Sequence, residues 1–497
     1  MDINSHYDPY WSMIWKQFKK HPMGMIGLVI VCLFLFVGIY APLLASSKPL
    51  FVIFENTWFF PLFRYLFYPG FYTKRLDIFF NLLMFTTPFA LLGLWMLRNH
   101  PKKLRCVLMA IFFIQMALFL GVAFQTSQDP GASPQNKQSS SYDWKAEVKQ
   151  MNPYARLNLI LRYQQRAKQH ARLVKMVEAQ AGEVSKSLPK ITSLWNLDQE
   201  NDLFILEQQQ KILENSSPDS DSHQLALDKI TYIRDRQKWL EAQSQKLSFQ
   251  IMPLIRHFHW EEDAGGDQNL NRYIEWWELT RVNRKDLVSA LIFGTRISLV
   301  VGILSVGAAL LIGIPIGAFA GYYGGKVDIV VCRLLEIWES MPTFFMLLMI
   351  VAILQNKSIF LVIAIIGLFG WTTFSRYIRG EFLKQRNLSY VEACQSLGFS
   401  NGYIMFSHIL PNAIPPLLTL LPFAIMGAIT SEAGLSFLGL GEEGSCSWGV
   451  LMDEGRTAFP GESYLLWPPA ILLTTLLIAI ALVGDALRDA LDPKMHR

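Results

Sequence analysis

Two glycine-rich stretches have the spelling of nucleotide-binding loops, but their surroundings argue against that chemistry. Residues 439–444 spell G-x-G-x-x-G, which binds a dinucleotide when it links a strand to a helix in a βαβ unit. Here the motif follows an apolar run long enough to cross a membrane. Gly325 and Lys326 have the form of the end of a P-loop, yet Ala320 stands where the first glycine is required and no Ser or Thr follows the lysine. We therefore expect this chain to bind no ATP and to carry no cofactor.

One cluster of side chains has metal-ligating donors. It consists of His257, His259, Glu261, Glu262 and Asp263, whose imidazole and carboxylate groups suit transition ions. No second cluster at a diagnostic spacing accompanies it, so a solvated acidic turn is the favoured interpretation and no metal site is predicted. The cysteines are far apart and lack C-x-x-C spacing, which gives no sign of a disulfide framework or a zinc site. They are Cys32, Cys106, Cys332, Cys394 and Cys446.

The most informative stretch is a predicted pair of short helices. Ser389 and Glu392 have the spacing of a capping box, and Gly398 suits the left-handed residue that closes a helix. Asn401 is expected to cap a second short helix that ends before Pro411, because proline lacks an N–H and its ring opposes continuation. We call this segment, from Ser389 to Pro411, the helix pair. A compact unit of this kind between two membrane spans is suited to being gripped and moved by a partner protein.

Several charges lie within or beside apolar runs, where an ionised group is costly in lipid. The candidates for interior or translocation-path charges are Arg333, Glu336, Glu339 and Glu432. Glu336 and Glu339 are expected to face the bundle interior, Arg333 or a subunit seam, and pairing with Arg333 at helical spacing is favoured over contact with a substrate. Arg376 and Arg379 are interpreted as anchors at the cytoplasmic side.

The remainder of the chain is apolar enough to hold these segments in a membrane. Of its 497 residues, 52% are hydrophobic and 17% are charged, against about a quarter charged in soluble proteins. This composition argues against a small soluble enzyme, and the net charge of +5 without a basic, aromatic groove argues against nucleic-acid binding. About eight runs reach the length of roughly 20 apolar residues that a membrane helix needs. They are 24–45, 77–97, 104–124, 294–319, 329–353, 358–378, 413–435 and 464–484.

Positively charged loops predict how these spans are oriented. The positive-inside rule places the N-terminus and the loop 98–105 in the cytoplasm, which requires that the aromatic stretch 50–72 does not cross. Counting onward puts 125–290 outside, and 379–412 and the C-terminus inside. The first run is interpreted as a retained anchor, because its apolar core is too long for a cleaved signal peptide. An aromatic belt at the outer interface is predicted for Trp58, Tyr65, Tyr68 and Tyr72.

The segment 130–285 is rich in Gln, Lys, Glu and Ser and is predicted to be a soluble insert outside the membrane. Apolar residues recur near helical spacing over 154–186 and over 222–248, with breakers between them. Two or three helices are expected. They form either a helical hairpin that packs on itself or on a partner, or a solvated spacer, and the weak heptads do not decide between these.

Several blocks of sequence, taken together, are similar to the C-type membrane subunit of the oligopeptide and dipeptide ABC importers. The helix pair resembles the EAA loop of that family, its coupling helix, through Glu392-Ala393-Cys394, Gly398 and the run from His408 to Ala413. The other blocks, in order, are 294–299, 321–325, Arg376 with Arg379-Gly380, 436–441, 447–449 and 484–493. The resemblance covers approximately 286–497 and the first span. It implies an all-α membrane protein with the type I importer bundle.

The resemblance also implies a function and its residues. The chain is expected to be a permease subunit that forms a peptide path with a sister membrane subunit, docks two cytoplasmic ATP-binding subunits and receives peptide from an external solute-binding protein. Hydrolysis of ATP is expected in the partner subunits, so the chain itself is not an enzyme. The residues expected to couple to the ATPases are Glu392, Ala393, Cys394, Gly398, His408, Leu410 and Pro411. Cys394 stands at the alanine position of the motif and is expected to pack into the ATPase cleft.

The chain is accordingly divided into four parts. They are a cytoplasmic N-terminus with the first span (1–50), an aromatic interfacial segment with an extra transmembrane hairpin (51–129), the insert (130–285), and the importer domain (286–497) with its coupling loop (385–412). The extra hairpin 77–124 and the insert have no counterpart in the ordinary family pattern. We expect a multi-pass protein of the bacterial cytoplasmic membrane with both termini inside.

Two functions of other classes are kept as alternatives. A secondary transporter or channel would act without partners and is expected to show a repeat across two halves, which the sequence lacks. An envelope scaffold or sensor would use the insert as its working part, and the insert is also predicted to contact the solute-binding protein or the cell envelope. Purification in mild detergent distinguishes these alternatives, because only an importer subunit would bring ATPases with it.

Overall fold

The computed structural model describes most of the chain, and its residues form two compact units. The described residues are 10–46, 48–67, 74–98, 100–123, 143–164, 197–218, 220–255, 287–354, 357–442, 444–457 and 465–491. The first unit combines the N-terminal part, up to Gly38, with everything from Phe293 onward, and the second unit lies between, from Ile39 to Ile292. The first unit contains the helix pair.

The described residues contain seven helices that are long and apolar enough to cross a membrane, or eight if one bent pair counts as a span. The seven are Pro22–Leu44, Arg75–Met96, Lys102–Ala123, Leu287–Tyr323, Ile359–Gln385, Leu421–Leu440 and Trp467–Leu491, and the bent pair is Gly325–Glu339 with Thr343–Leu354. The predicted number of about eight spans and the helical membrane class are therefore confirmed. Each predicted run falls on one of these helices, because a stretch of apolar residues of this length has few other stable states in lipid.

Two of the predicted continuous spans are broken. Helices Gly325–Glu339 and Thr343–Leu354 meet at an angle of 70°. Pro342 precedes the second helix, where its missing N–H costs nothing and its ring opposes continuation from Glu339. The run predicted over 413–435 is likewise two helices, Leu410–Leu418 and Leu421–Leu435, and Pro422 falls in the first turn of the second.

Shorter helices complete the first unit. They are Tyr10–Phe18, Ser389–Ser396, Asn401–Tyr403, the π-helices Ile404–Ile409 and Ser436–Leu440, and Trp448–Thr457. The main core is formed by buried apolar side chains of helices Leu287–Tyr323, Ile359–Gln385 and Leu421–Leu435 together with those of the helix pair. A smaller cluster joins the first helix to the last, with Ile14 and Phe18 packed on Ala486 and Ala490.

The second unit contains a small sheet that the sequence reasoning missed. Strands β1 (Phe51–Phe54), β2 (Thr57–Phe59) and β3 (Leu247–Ile251) form an antiparallel sheet in the order β2-β1-β3. A two-residue turn joins β1 to β2, with both Glu55 and Asn56 at positive φ, which is the turn geometry that matches the twist of a hairpin. The sequence did not reveal this hairpin, since Glu at the first turn position is not a usual turn signal.

Five described helices of the second unit accompany the sheet, and all but the first of them belong to the insert. They are Pro61–Tyr65, Trp144–Gln150, residues 153–164, Leu197–Asn215 and Asp221–Ser244. The helix predicted over 222–248 is present but ends at Ser244, and its last residues enter β3 instead. The helix predicted from 154 is present as far as 164, and the rest of that prediction lies outside the described residues, as do Tyr68 and Tyr72 of the predicted aromatic belt.

Candidate functional site

The first helix of the pair begins with different chemistry from that predicted. It spans Ser389–Ser396 and its N-cap is Leu388, which makes no side-chain cap hydrogen bond. The predicted capping box is therefore wrong: Ser389 is already inside the helix, and the Glu392 N–H bonds to the Leu388 carbonyl oxygen at 3.3 Å. Because Glu392 is not used at the helix end, its exposed carboxylate remains available to a partner.

The closing turn of this helix follows the prediction. Gly398 has φ +78°, its N–H bonds to the Gln395 carbonyl at 2.9 Å, and the Phe399 N–H bonds to the Cys394 carbonyl at 3.1 Å. These two bonds are those of a Schellman motif, in which the left-handed residue is usually glycine. No heavy atom lies within 4 Å of a Cβ built on Gly398, so the requirement for glycine is conformational and not steric.

The second helix of the pair is capped by Ser400, whose Oγ accepts from the Tyr403 N–H at 3.4 Å. Asn401, the predicted cap, instead accepts a hydrogen bond from the Tyr322 hydroxyl at 2.9 Å. Tyr322 lies at the end of the span Leu287–Tyr323, so this bond ties the helix pair to that span. Both residue types accept well at a helix start, which is why the sequence alone misplaced the cap by one residue.

The second helix does not end before Pro411. A π-helix over Ile404–Ile409 carries it forward, and the Leu410 N–H bonds to the Met405 carbonyl, five residues back. Pro411 then lies in the first turn of helix Leu410–Leu418, where the change of register removes the need for its N–H. The helix pair is therefore continuous with the helix that leads into the next span.

The helix pair has one buried face and one exposed face. The buried side chains are Val391, Cys394, Ile404, Met405 and Ile409, all in the main core. Glu392 and Ala393 are exposed. Cys394 is only 9% exposed and packs within this chain, so the expectation that it enters a partner's cleft is wrong. A residue three positions after Val391 returns to the same helix face, which places Cys394 with the anchors.

An aromatic group covers the turn between the two helices. His408 stacks on Phe399 with ring centroids 6.1 Å apart and meets the Tyr403 ring edge-on at 5.3 Å. The His408 Nε2 atom is buried and has no hydrogen-bond partner among the described residues. Beside this group, Leu397 is 74% exposed. The predicted coupling residues are thus brought together, with some on the exposed face and others as support beneath it.

Two ion pairs link neighbouring helices of the first unit. Arg379 makes a two-pronged contact with Asp328, including Nη2 to Oδ2 at 2.7 Å, and Arg376 pairs with Glu339. Both pairs join helix Gly325–Glu339 to helix Ile359–Gln385, and the Asp328 pair is partly buried. The two arginines predicted as anchors therefore bind specific carboxylates. Asp328 was not singled out from the sequence, because its partner lies 51 positions away.

The other candidate charges separate into an exposed pair and a buried carboxyl. Arg333 donates to Glu336, as their helical spacing predicts, but their side chains are 71% and 54% exposed, so an interior position within this chain is wrong for both. Glu432 is fully enclosed and accepts from the hydroxyls of Ser436 at 2.7 Å and Ser447 at 2.6 Å. Those serines belong to two of the sequence blocks noted above, which meet at this carboxyl.

A third block packs against Trp448, the residue after Ser447. A Cβ on Gly294 would lie 2.7 Å from the Trp448 ring, so only glycine admits the fully buried indole there. Two residues further, Arg296 is fully buried and donates to the Gly38 carbonyl at 2.7 Å. The guanidinium also lies over the Phe293 ring at 5.0 Å. The blocks are therefore partners in packing, although they are separated along the chain.

Neither glycine-rich stretch has the surroundings of a nucleotide-binding loop. Gly439 closes a π-helix, and Gly324 and Gly325 link two helices, so neither stretch follows a strand. Within the described ranges no group of three or more His, Cys, Asp or Glu side chains could hold a metal ion. The cluster from His257 to Asp263 lies outside the described residues.

Comparisons with known proteins place this arrangement among permeases. Residues 313–497 match the family model of the binding-protein-dependent transport system inner membrane component, and residues 9–59 match the N-terminal transmembrane domain of oligopeptide transport permease C. Neither match includes 60–312. A solved structure of the MetNI methionine ABC transporter, in an inward-facing conformation, aligns at 19% identity with a TM-score of 0.35, over 41% of this chain and 96% of that one.

Two curated relatives give the extent of the likeness. The chain is 39% identical over 219 residues to the peptidoglycan transport system permease protein YejE of Agrobacterium fabrum, an alignment covering 44% of this chain and 57% of the relative. It is 38% identical over 216 residues to the oligopeptide transport system permease protein OppC of Haemophilus influenzae, covering 43% and 69%. The chain thus spans little more than half the length of the first relative and about two thirds of the second.

Proposed function

Because the chain belongs to the family of binding-protein-dependent transport permeases that includes the peptide importers, we propose that it is a membrane subunit of an ATP-driven importer of oligopeptides or dipeptides. Membership of this family confirms the resemblance noted from the sequence and the predicted class of helical importer bundle. One observation carries the proposal. Glu392 and Ala393 are exposed on a short helix whose other face is locked into the core by Val391 and Cys394.

The partners in this proposal follow from the division of labour in such importers. ATP-binding subunits bind the helix pair from the cytoplasm and hydrolyse ATP, a sister membrane subunit forms the other wall of the peptide path, and a solute-binding protein delivers peptide from outside. The positive-inside topology, with both termini in the cytoplasm, supports this placement. The protein is an integral membrane protein by its family and by the length of its apolar helices.

The helix pair is built to transmit a displacement without deforming. Its buried side chains join the main core, and its second helix continues through the π-helix Ile404–Ile409 into helix Leu410–Leu418. The Tyr322–Asn401 hydrogen bond adds a second attachment. A push on the exposed face is therefore delivered to two neighbouring spans. Coupling requires that the ATP-bound partner contact the two states of the bundle with different affinity.

The predicted coupling residues take two roles in this scheme. Glu392 and Ala393 contact the ATPase, and Gly398 sets the turn that holds the exposed face in place. His408, Leu410 and Pro411 position the second helix, and Cys394 anchors the first. These assignments replace the simpler expectation that the whole set lies in the partner's cleft.

Substitution of Glu392 tests the proposal. In the importer reconstituted with its ATPases and solute-binding protein, Glu392→Gln should leave membrane insertion unchanged and lower the ATP hydrolysis that the binding protein stimulates, because a charge at the contact is removed. The matched control is Ser389→Ala, which removes an exposed hydroxyl from the same helix where it makes no cap bond. Normal stimulation in Glu392→Gln would contradict the proposal, and transport by the chain without any ATPase would favour a secondary transporter.

A further inference from the structure

The sheet of the second unit has apolar side chains on both faces. On the inner face, Val52 and Phe54 are buried against Leu157, Ile160 and Leu161, with Phe59 and Leu247 packed beside them. An antiparallel sheet that covers a core with one face normally alternates with polar residues on the other. In β1, the central strand, the alternation is between two sets of apolar residues, Val52 and Phe54 on one face and Phe51 and Ile53 on the other, so the outer face also needs a cover.

The outer face is aromatic and exposed. Strand register places Ile53 opposite Trp58 and Phe249, and Phe51 opposite Ile251. Trp58 is 69% exposed and Phe249 is 52% exposed. The Phe51 ring contacts three others, those of Trp58 at 5.0 Å, Phe60 at 5.4 Å and Phe249 at 6.1 Å. We call the side chains of Phe51, Ile53, Trp58, Phe60, Phe249 and Ile251 the aromatic face.

The aromatic face is continuous with a membrane span. Phe60 contacts Phe63 at 6.4 Å, and Phe63 contacts Phe85 at 6.0 Å. Phe85 is a partly exposed residue of helix Arg75–Met96, one of the candidate spans. An unbroken series of ring contacts therefore leads from β3 of the insert to the side of a membrane helix.

The sheet is also attached to the end of another span, helix Pro22–Leu44. Helix Pro22–Leu44 ends seven positions before Phe51, and Ala45 forms a bridge with Ile255, four residues after the end of β3. In addition, the Ile255 N–H bonds to the Leu44 carbonyl at 2.9 Å. These connections hold the sheet close to the level at which that span leaves the hydrocarbon, where aromatic side chains are enriched in membrane proteins.

We propose that the aromatic face lies on the lipid of the outer leaflet and seats the insert on the membrane surface. The aromatic face contacts the boundary between headgroups and acyl chains, where aromatic side chains are enriched. The inner face of the sheet stays packed against the helices of the insert. Polar groups mark the far edge, where Lys246 pairs with Glu55 at the hairpin turn at 3.4 Å. The choice of the outer leaflet rests on the topology of the proposed function, whereas the contact with lipid does not.

Fluorescence quenching by lipid tests this proposal on the full-length chain with the subunits that co-purify with it. NBD is attached at Phe249→Cys and, as a second position in case one variant fails to fold, at Trp58→Cys. The control is Leu225→Cys on helix Asp221–Ser244, since Leu225 is a similarly exposed apolar residue, at 47%, away from the sheet. The unmodified chain, labelled in parallel, gives the contribution of the native cysteines. The complexes are placed in liposomes of phosphatidylethanolamine and phosphatidylglycerol, with a phosphatidylcholine that carries a nitroxide near the top of its acyl chain.

The expected result is several-fold stronger quenching at positions 249 and 58 than at 225, with probes roughly 5–10 Å below the headgroup boundary. Quenching at 249 and 58 no stronger than at 225 would overturn the proposal, because the face would then contact water or protein. Quenching that disappears when the sister subunit or the binding protein is added would overturn it too, since a protein would cover the face in the complex.

The leaflet is measured separately. Dithionite, which does not cross membranes, should reduce the probe at 225 from outside in right-side-out vesicles. Reduction only after permeabilisation would contradict the topology of the proposed function, while strong quenching at 249 and 58 would still show contact with lipid.

Discussion

At the scale of single residues, a buried carboxyl is the feature that most constrains the bundle. Glu432 lies within a candidate span, and the hydroxyls of Ser436 and Ser447 both donate to its Oε1. Polar groups in such a setting are costly unless they are hydrogen-bonded. The carboxyl therefore attaches the loop that carries Ser447 to the end of helix Leu421–Leu435, and we propose a positioning role for it.

Removal of this acceptor should destabilise the protein. Glu432→Ala leaves two buried hydroxyls without their acceptor, and each is expected to cost about 1–3 kcal/mol. Glu432→Gln keeps an acceptor oxygen and should lose clearly less. Thr430→Ala, an exposed position on the same helix, should stay within about 0.5 kcal/mol of the parent protein. Thermal unfolding in detergent measures all three, and equal stability of Glu432→Ala and the parent protein would show that the hydroxyls find other partners.

Gly398 offers a second test at this scale. With φ at +78°, Gly398→Ala should cost about 1–2 kcal/mol locally, because an L-residue is disfavoured in the left-handed region. Gly402→Ala is the matched control, since that glycine is also exposed with no atom within 4 Å of an added Cβ, but has no positive φ. We expect reduced coupling of ATP hydrolysis to the binding protein for Gly398→Ala alone. The same loss in both variants would assign the effect to added bulk.

Residue-level predictions from the sequence succeeded where one residue type has a unique property. Gly398 was predicted because few other residues adopt a left-handed turn, and the structure confirms that conformation. Both N-caps were predicted one residue too far along the chain: the first is Leu388, which makes no side-chain cap bond, and the second is Ser400 where Asn401 was expected. Asn401 is used by Tyr322 instead, and a hydrogen bond between residues 79 positions apart is not visible in a local pattern.

At the scale of elements, two ion pairs attach helix Gly325–Glu339 to a neighbouring span. Arg379 and Arg376 extend from helix Ile359–Gln385 to two carboxylates on it, Asp328 and Glu339. The helix lies at a 70° bend, so its own continuity cannot fix its direction. The pairs supply that constraint from a neighbouring span.

A double-mutant cycle tests which ion pairs matter. The partly buried, two-pronged Asp328–Arg379 pair should show a coupling energy of about 1–2 kcal/mol when both residues are changed to alanine, singly and together. The Arg333–Glu336 pair, which is exposed on one helix, is the control and should give at most about 0.5 kcal/mol. Thermal unfolding in detergent provides the energies. Equal coupling in the two pairs would mean that Asp328 does not orient its helix.

Element prediction from the sequence was accurate for spans and poor for the sheet. Long apolar runs identify membrane helices from composition alone, which is why each predicted run contains a span. Strand β3 follows directly on a helical pattern, and its partner β1 lies almost 200 positions earlier, so pairing and not local preference makes it a strand. The breaks at Pro342 and Pro422 divide two runs that the sequence predicted as continuous spans.

At the scale of the whole molecule, the chain combines a part that matches a known permease family with a part that neither family model covers. The family matches cover 9–59 and 313–497, and most of the second unit lies between them. The family of the matched part could be predicted from several short blocks in a fixed order, and two of those blocks meet at Glu432. The role of the insert could not be predicted from its composition, because its interactions depend on a sheet formed by distant segments.

The account depends on the helix pair lying in the cytoplasm and contacting an ATPase. Labelling of an engineered cysteine tests this most directly, and Leu397→Cys is a better target than the native Cys394 because Leu397 is 74% exposed while Cys394 is buried. Leu225→Cys in the insert is the control, and labelling of the unmodified chain is subtracted. In intact cells, a maleimide that cannot cross membranes should label position 225 and not position 397. In inside-out vesicles it should label position 397, and the ATPase subunits should protect that site; labelling of position 397 in intact cells would contradict the account.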